Sequence, residues 1–149
     1  MQPLHFEREI TITAPRERVF AELVTPERFL GLQPLLTAIE ERPGADGTRV
    51  FAATERVPVL GPLRVPSRLC VELRPDAEAS RVEFATRAPL GIRLRGAFVL
   101  TDAADGTRVV ESVELVCARW LRGFVAPQAT RAQEGLLANL KRRLEAEKG

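Results

Sequence analysis

The stretch RGFVAPQATRAQEGLLANLKRRLEAEK, residues 122–148, carries the clearest pattern in the sequence. Its apolar residues recur at steps of three and four, at Ala129, Ala132, Leu136, Leu140 and Leu144. This spacing predicts a long α-helix with one apolar stripe, which Leu137 widens on one flank and Gln133 borders. A helix of about 25 residues is about 38 Å long at a rise of about 1.5 Å per residue. A stripe of that length needs a large apolar surface to pack against.

The rest of the chain predicts mainly strands, so the expected partner of the helix is a curved antiparallel sheet. A first strand at His5–Thr13 precedes two short helices, one starting at Pro15 and one at Pro26–Leu30. Six more strands are expected near Leu36–Glu41, Thr48–Val57, Arg64–Arg74, Arg81–Arg87, Ile92–Thr101 and Thr107–Ala118. Their connections are too short for crossover helices, which excludes a parallel sheet. The prediction is an α+β fold of about seven antiparallel strands and a long C-terminal helix, in one domain of residues 1–149.

Composition excludes several classes of protein. The formal net charge of the 149 residues is +2, which gives no reason to expect a nucleic acid or an anionic membrane as partner. No apolar run approaches the roughly 20 residues of a membrane span, and the N-terminus lacks the apolar core of a signal peptide. We therefore expect a cytoplasmic protein. Cys70 and Cys117 have no metal-type spacing and are expected to be free thiols, and neither a metal nor a cofactor is predicted.

The turns differ between the two ends of the predicted sheet. One end receives polar, acidic turns at 43–47, 75–80 and 102–106. The other end receives the apolar segments Val57–Leu63, Ala88–Gly91 and Trp120–Val125. Apolar loops are rarely left in water without a cause. These segments either pack on the start of the helix, or they surround the mouth of an internal cavity or contact a membrane or a partner. The residues predicted at such a mouth are Leu60, Leu63, Leu90, Trp120 and Phe124.

The opening ITITAPRERVF, residues 10–20, is followed by TPER at 25–28 and by the leucine-rich closing helix. Together these features resemble the START/SRPBCC superfamily, also called the helix-grip or birch-pollen-allergen-like fold. The resemblance covers essentially the whole chain. It is closest to the polyketide cyclase/dehydrase-like branch and to the branch that resembles the G subunit of carbon monoxide dehydrogenase. It implies a deep apolar cavity between sheet and helix, where most relatives bind a lipid, sterol, quinone or polyketide and a minority are enzymes. A fold alone does not name the chemistry.

Strand alternation and the helix stripe identify the side chains that face such a cavity. Small residues at Ala53 and Gly96 are expected to leave room in it. The predicted ligand-binding residues are Phe51, Ala53, Glu55, Leu69, Phe84, Leu94, Phe98, Glu111, Val113, Gln133, Leu136, Leu137 and Leu140.

Two acidic residues share the inward parity of these apolar positions. A carboxylate in an apolar cavity is costly unless it is paired, hydrogen-bonded or protonated. Glu55 and Glu111 are therefore either polar anchors or general acid/base groups with a raised pKa, or they leave the cavity through a bulge, a strand end or a salt bridge to an arginine. No catalytic residue is predicted, because His5 is expected to face outward and no Ser or Cys has a His/Asp partner in the sequence.

Three functions fit this pattern. The first is non-catalytic binding or transport of a hydrophobic small molecule. The second is a membrane- or partner-docking assembly factor of the G-subunit or coenzyme Q-binding type, with peripheral membrane contact. The third is a polyketide aromatase/cyclase-like enzyme, whose support is an inward Glu55 and Glu111. The sequence specifies no oligomeric state.

Overall fold

The structure, a computed structural model, describes residues 3–147 apart from the side chain of Leu60. Seven strands form one antiparallel sheet in the order β1-β7-β6-β5-β4-β3-β2. Their bounds are β1 Leu4–Ile12, β2 Leu36–Arg42, β3 Arg49–Leu60, β4 Leu63–Asp76, β5 Arg81–Arg87, β6 Arg93–Ala103 and β7 Gly106–Val116. Helix α1 (Arg16–Leu23) and a 3-10 helix (Pro26–Phe29) follow β1, a 3-10 turn (Pro89–Gly91) follows β5, and α2 spans Arg119–Ala146. The predicted helix-grip architecture is confirmed.

The hairpin of β3 and β4 is longer than predicted. The segment Val57–Leu63 is not the loop that its prolines and glycine predict, because its strands stay paired from Val57 with Val65 to Leu60 with Leu63. Pro58 and Pro66 are tolerated because β2 pairs with β3 only as far as Glu55 and β4 pairs with β5 only from Cys70, so this part has no neighbouring strand on either side. We call residues 56–69 the hairpin arm.

Helix α2 begins three residues earlier than the predicted start near Arg122. Trp120 and Phe124 therefore belong to its first turns rather than to a loop. The cause is tertiary, because Leu121 is buried against Leu115 and Cys117 and holds the first turn on the end of β7. The predicted C-terminal end at Lys148 lies outside the described residues.

The two halves of α2 have different surroundings. In the second half, Leu137, Leu140 and Leu144 are buried in one cluster with residues of α1 and the turns after it, among them Val19, Leu23 and Leu32. The helix also packs along β1, where Lys141 Nζ donates to the Thr11 carbonyl at 2.8 Å and Arg8 pairs with Glu134. The core is therefore solid where α2 meets β1 and α1.

Glu111 lies in this solid region. It is in the middle of β7 with a relative exposure of 0%, so neither the strand-end nor the bulge alternative holds. Neither of its carboxyl oxygens has a hydrogen-bond partner among the described residues. Arg8 lies opposite it in the β1–β7 register, but Arg8 forms its ion pair with Glu134 on α2. Burial raises the pKa of Glu111 to about 8, so the carboxyl is mostly protonated at neutral pH.

We predict that Glu111→Gln makes the protein more stable at pH 8 and flattens its pH–stability profile. Glu111 titrates at an ordinary 4.5 when exposed and at about 8 when folded, so between these values the native state binds the extra proton. Its contribution to stability is complete below the lower value and is lost as the pH rises toward the upper one, by at most about 1.4 kcal/mol per pH unit. Urea unfolding at intervals across this window measures the slope.

The matched control is Glu78→Gln, which makes the same change at an exposed position in the turn after β4. This variant should keep the wild-type slope. If Glu111→Gln also keeps it, the carboxyl does not titrate in that range and the assignment of its pKa is wrong.

Candidate functional site

A cavity of about 350 Å³ lies between the concave face of the sheet and the first half of α2. Its sheet wall comes from β3, β4, β5 and β6 together with Leu36, and no described residue of β1 or β7 reaches it. The reason is the position of α2, which packs along β1 and leaves a gap over the middle strands. Most of the wall is aliphatic or aromatic, as expected for a site that holds an apolar ligand.

Eleven of the predicted site residues line this cavity. From the ligand-binding set these are Phe51, Ala53, Glu55, Leu69, Phe84, Leu94, Phe98, Gln133 and Leu136, and from the mouth set Leu90 and Phe124. Their contact with a ligand stays a prediction.

Six predicted residues do not line the cavity. Glu111 and Val113 lie on β7, beneath the region where helix and sheet meet, and Leu137 and Leu140 lie in the solid half of α2. Leu63 and Trp120 are exposed beside the opening rather than part of its wall. The side chain of Leu60 lies outside the described part of the chain.

Gly96 also differs from its expected role. Its missing side chain does not enlarge the cavity, because an added Cβ would lie 2.0 Å from the Ser112 carbonyl oxygen and 2.8 Å from the Phe84 ring. The space is already filled by the β7 backbone and by Phe84, whose ring centroid is 5.3 Å from that of Phe98. These two rings form a closed part of the wall.

The loop that closes one end of the cavity could not be predicted from sequence patterns. Phe29, Gln33, Leu35 and Leu36 line this end, and the Phe29 ring stacks on Phe51 with centroids 6.0 Å apart. Irregular segments have no periodicity to show which side chains face inward. The only available signal was the apolar content of residues 29–36 beside a buried helix.

Glu55 carries the polar end of the site. Gln33 is buried, and its amide nitrogen Nε2 donates a hydrogen bond to Glu55 Oε2. The Gln33 carbonyl oxygen Oε1 accepts from the Leu35 backbone N–H at 2.6 Å, which fixes the orientation of the amide. Loss of hydration raises the pKa of Glu55, and the hydrogen bond from Gln33 opposes part of that rise. Among the described residues Glu55 Oε1 has no hydrogen bond, so it is available to a ligand.

Glu55 is the only titratable side chain among the described residues of the cavity wall. The other polar side chains there are Gln33, Ser67, Thr86, Gln128 and Gln133, and Ser67 lies opposite Glu55 in the β3–β4 register. Gln128 Nε2 donates to the Pro58 carbonyl at 3.2 Å and so joins α2 to the hairpin arm. The arrangement offers one carboxyl and several neutral hydrogen-bonding groups on an otherwise apolar surface.

Residues 3–147 were also compared with the patterns of metal sites, membrane-spanning helices and disulfides. No group of three or more His, Cys, Asp and Glu side chains there has the arrangement of a metal site. None of the described helices has a segment long and apolar enough to cross a membrane. Cys70 is half-buried, Cys117 is buried, and both are free thiols.

Several solved structures share this fold. The protein TTHA0849 of Thermus thermophilus is 24% identical, with a TM-score of 0.73 over 99% of this chain and 100% of that one. The Zhui aromatase/cyclase of a Streptomyces species is 14% identical, with a TM-score of 0.85 over 99% and 97% of the two chains. A START superfamily protein of Mycobacterium smegmatis is 12% identical, with a TM-score of 0.76 over 95% and 97%. At these identities the likeness shows the fold alone.

No curated protein sequence matches the chain significantly. The family model described as polyketide cyclase / dehydrase and lipid transport matches residues 3–145, nearly the full length. The curved sheet, the long closing helix and the apolar cavity between them agree with that match. The chain therefore belongs to the polyketide cyclase/dehydrase and lipid transport family.

Proposed function

We propose that the protein binds and carries a hydrophobic small molecule that has one oxygen-containing polar group, and releases it chemically unchanged. The observation that carries this proposal is the cavity of about 350 Å³, whose wall is apolar except for Glu55 and a few neutral polar side chains. Its volume is within the range of small-molecule sites, roughly 300–1,000 Å³. A lipid-like, quinone-like or polyketide-like ligand fits this chemistry.

Glu55 favours a ligand with a hydroxyl or carbonyl group near one end. A half-buried carboxyl with a free oxygen gains from a hydrogen-bonding partner, whereas a wholly hydrocarbon ligand leaves that oxygen unsatisfied. The ionised form accepts from a hydroxyl and the protonated form donates to a carbonyl. Because the pKa of Glu55 is raised, the protonated form persists to a higher pH than for an exposed glutamate.

The carrier proposal is preferred to the cyclase proposal because Glu55 is the single carboxyl among the described residues of the wall. Acid–base reactions of the dehydration type commonly use a proton donor and a proton acceptor at separate positions. Glu111, the second predicted carboxyl, is enclosed in the core on β7 and not at the wall. Consumption of a bound polyketide-like compound by wild-type protein, lost in Glu55→Gln, would contradict the carrier proposal.

One prediction of the carrier proposal concerns occupancy of the cavity by a ligand. Ala132 is buried on α2 at the cavity wall, so Ala132→Phe should fill part of the cavity and exclude the ligand. The control Ala138→Phe makes the same change on the exposed face of the same helix. Native mass spectrometry of each purified protein, followed by thermal shift with fatty acids, sterols and quinones, measures binding. We expect a bound molecule or a shift for the wild type and the control, and neither for Ala132→Phe.

Equal binding by all three proteins would place the ligand elsewhere on the molecule. Absence of binding by the wild type to every compound would leave the cavity without a hydrophobic ligand and would contradict the carrier function.

Another prediction of the carrier proposal concerns recognition of the ligand's polar group by Glu55. Glu55→Leu should weaken binding of a long-chain alcohol by about 10- to 100-fold, the range expected when a hydrogen bond to a charged group worth about 1.5–3 kcal/mol is lost. The alkane of the same length should bind equally well or better, because the leucine adds apolar surface. Competition against a fluorescent fatty acid gives both affinities, and Glu17→Leu on the exposed face of α1 is the control. A parallel loss for alcohol and alkane would show that Glu55 shapes the cavity without recognising oxygen.

A further inference from the structure

The open end of the cavity is surrounded by exposed apolar side chains. Trp120 is 77% exposed, Leu90 is 70% exposed and Leu63 is 55% exposed, and Val59 and Phe124 are also exposed. We call these five residues the mouth surface. They come from the hairpin arm, the turn between β5 and β6, and the first turns of α2. Val59, Leu90 and Phe124 also line the cavity, so the exposed apolar surface is continuous with the apolar interior.

The same three regions of the chain are strongly basic. Residues 56–69, 87–93 and 119–124 contain seven arginines and no aspartate or glutamate. Six of these arginines are exposed and form no ion pair with any described residue: Arg56, Arg64, Arg68, Arg87, Arg93 and Arg119. The turns at the opposite end, 43–47, 75–80 and 102–106, contain the acidic residues Asp46, Asp76, Glu78, Asp102 and Asp105.

Two of the arginines face each other directly. Arg87 on β5 and Arg93 on β6 are register partners, so their side chains leave the same face of the sheet. Like charges opposite each other in a sheet repel unless an anion lies between them. The turn that joins them places Leu90 outward with φ 64° and ψ 27°, a left-handed conformation that a leucine rarely adopts. Such local strain is most often retained where a side chain has a function.

The three regions share one arrangement, in which an exposed apolar side chain lies at the outer end and arginine lies next to it or behind it. In the hairpin arm Leu63 is next to the turn, Arg64 follows it, and Arg56 lies farther down the paired strand. In the β5–β6 turn Leu90 is the tip, and Arg87 and Arg93 stand at the strand ends. At the start of α2, Trp120 is adjacent to Arg119. An anionic bilayer has the matching order, with hydrocarbon inside and phosphate groups above it.

We propose that the mouth surface docks on an anionic phospholipid bilayer, with its apolar tips in the hydrocarbon boundary and its arginines on lipid phosphates. Guanidinium groups bind phosphate oxygens in a bidentate manner, and tryptophan favours the interface between headgroups and hydrocarbon. The docked orientation turns the cavity opening toward the hydrocarbon layer. An acidic protein partner would satisfy the arginines, but it would not by itself explain an exposed Trp and Leu at an opening that leads into an apolar cavity. The membrane site goes beyond the proposed carrier function and does not require it.

Co-sedimentation with sucrose-loaded vesicles tests the proposal. The wild-type protein should bind vesicles of phosphatidylcholine with phosphatidylglycerol, bind pure phosphatidylcholine at least tenfold more weakly, and lose affinity as salt is raised. Leu90→Asn combined with Trp120→Ser should reduce binding at least tenfold, and so should Arg87→Glu combined with Arg93→Glu. Asparagine tolerates the left-handed conformation. The substitution at position 90 should therefore not lower the melting temperature of the first variant.

Matched controls lie away from the opening. Leu30→Asn removes an exposed leucine near the second half of α2, and Arg142→Glu reverses an exposed arginine on that half. Both should keep wild-type vesicle binding. Ala132→Phe should also keep it, because this variant closes the cavity without changing the mouth surface, so failure of the carrier function is distinguishable from failure of the membrane site.

Two results would overturn the proposal. One is wild-type protein that does not sediment with anionic vesicles, or that sediments equally in all variants. The other is binding to polyglutamate, abolished by the arginine variant, without binding to vesicles, which would assign the surface to an acidic protein.

Discussion

The site depends on how the second half of α2 is attached to the segment after α1. Arg143 Nη1 donates to Glu22 Oε2 at 3.0 Å and to the Arg28 carbonyl at 2.8 Å, and Arg143 Nη2 donates to the Leu30 carbonyl at 3.0 Å. Glu22 is buried and also pairs with the more exposed Arg28 at 3.4 Å, so two arginines compensate its charge. Farther up the helix, Asn139 Nδ2 donates to the Leu32 carbonyl at 2.8 Å. These bonds fix the loop at residues 28–32 against α2.

The attachment of this loop to α2 determines the position of Gln33 at the site. Gly135 lets the same loop come closer, since a Cβ there would lie 2.6 Å from Pro34 Cγ. With the loop held on both sides of it, Gln33 is buried and donates to Glu55, the carboxyl of the cavity wall. The helix that closes the fold thereby also orients the polar end of the site. The first half of α2 is attached through Leu121 to the end of β7 and through Gln128 to the hairpin arm, and it stands over the cavity.

Two glutamates on the same concave face of the sheet have the same side chain but different roles, because their surroundings differ. Glu55 and Glu111 both have a raised pKa because burial removes hydration. Glu111 lies on β7 where helix and sheet are in contact, so its protonation changes the stability of the protein and nothing outside can reach it. Glu55 lies at the cavity wall with one oxygen held by Gln33, so under the carrier proposal its protonation decides which polar group of a ligand it can bind. Alternation along a strand assigns both residues to the same face and does not separate these roles.

The sequence predicted the elements and their faces well, because apolar periodicity reports which side of a strand or helix is buried. It did not predict where the cavity ends. Leu136 and Leu137 are neighbours in one stripe, yet only Leu136 lines the wall, since the difference is what α1 and the following loop place opposite them. Gln33 was missed because an irregular loop has no period. The extent of the hairpin arm was misjudged because proline ends a strand only where a neighbouring strand needs its N–H.

The net charge was the least informative of the sequence quantities. A value of +2 suggested no anionic partner, but this total includes an arginine-rich end and an acidic end of the sheet. A meander places alternate turns at opposite ends of the sheet, so the order of basic and acidic segments along the chain becomes a charge separation in space. Near an anionic surface such a separation exerts a torque as well as an attraction, because the acidic turns are repelled while the arginines are drawn in. The opening of the cavity lies at the attracted end, so the orientation that the field favours is also the one that brings the opening to the surface.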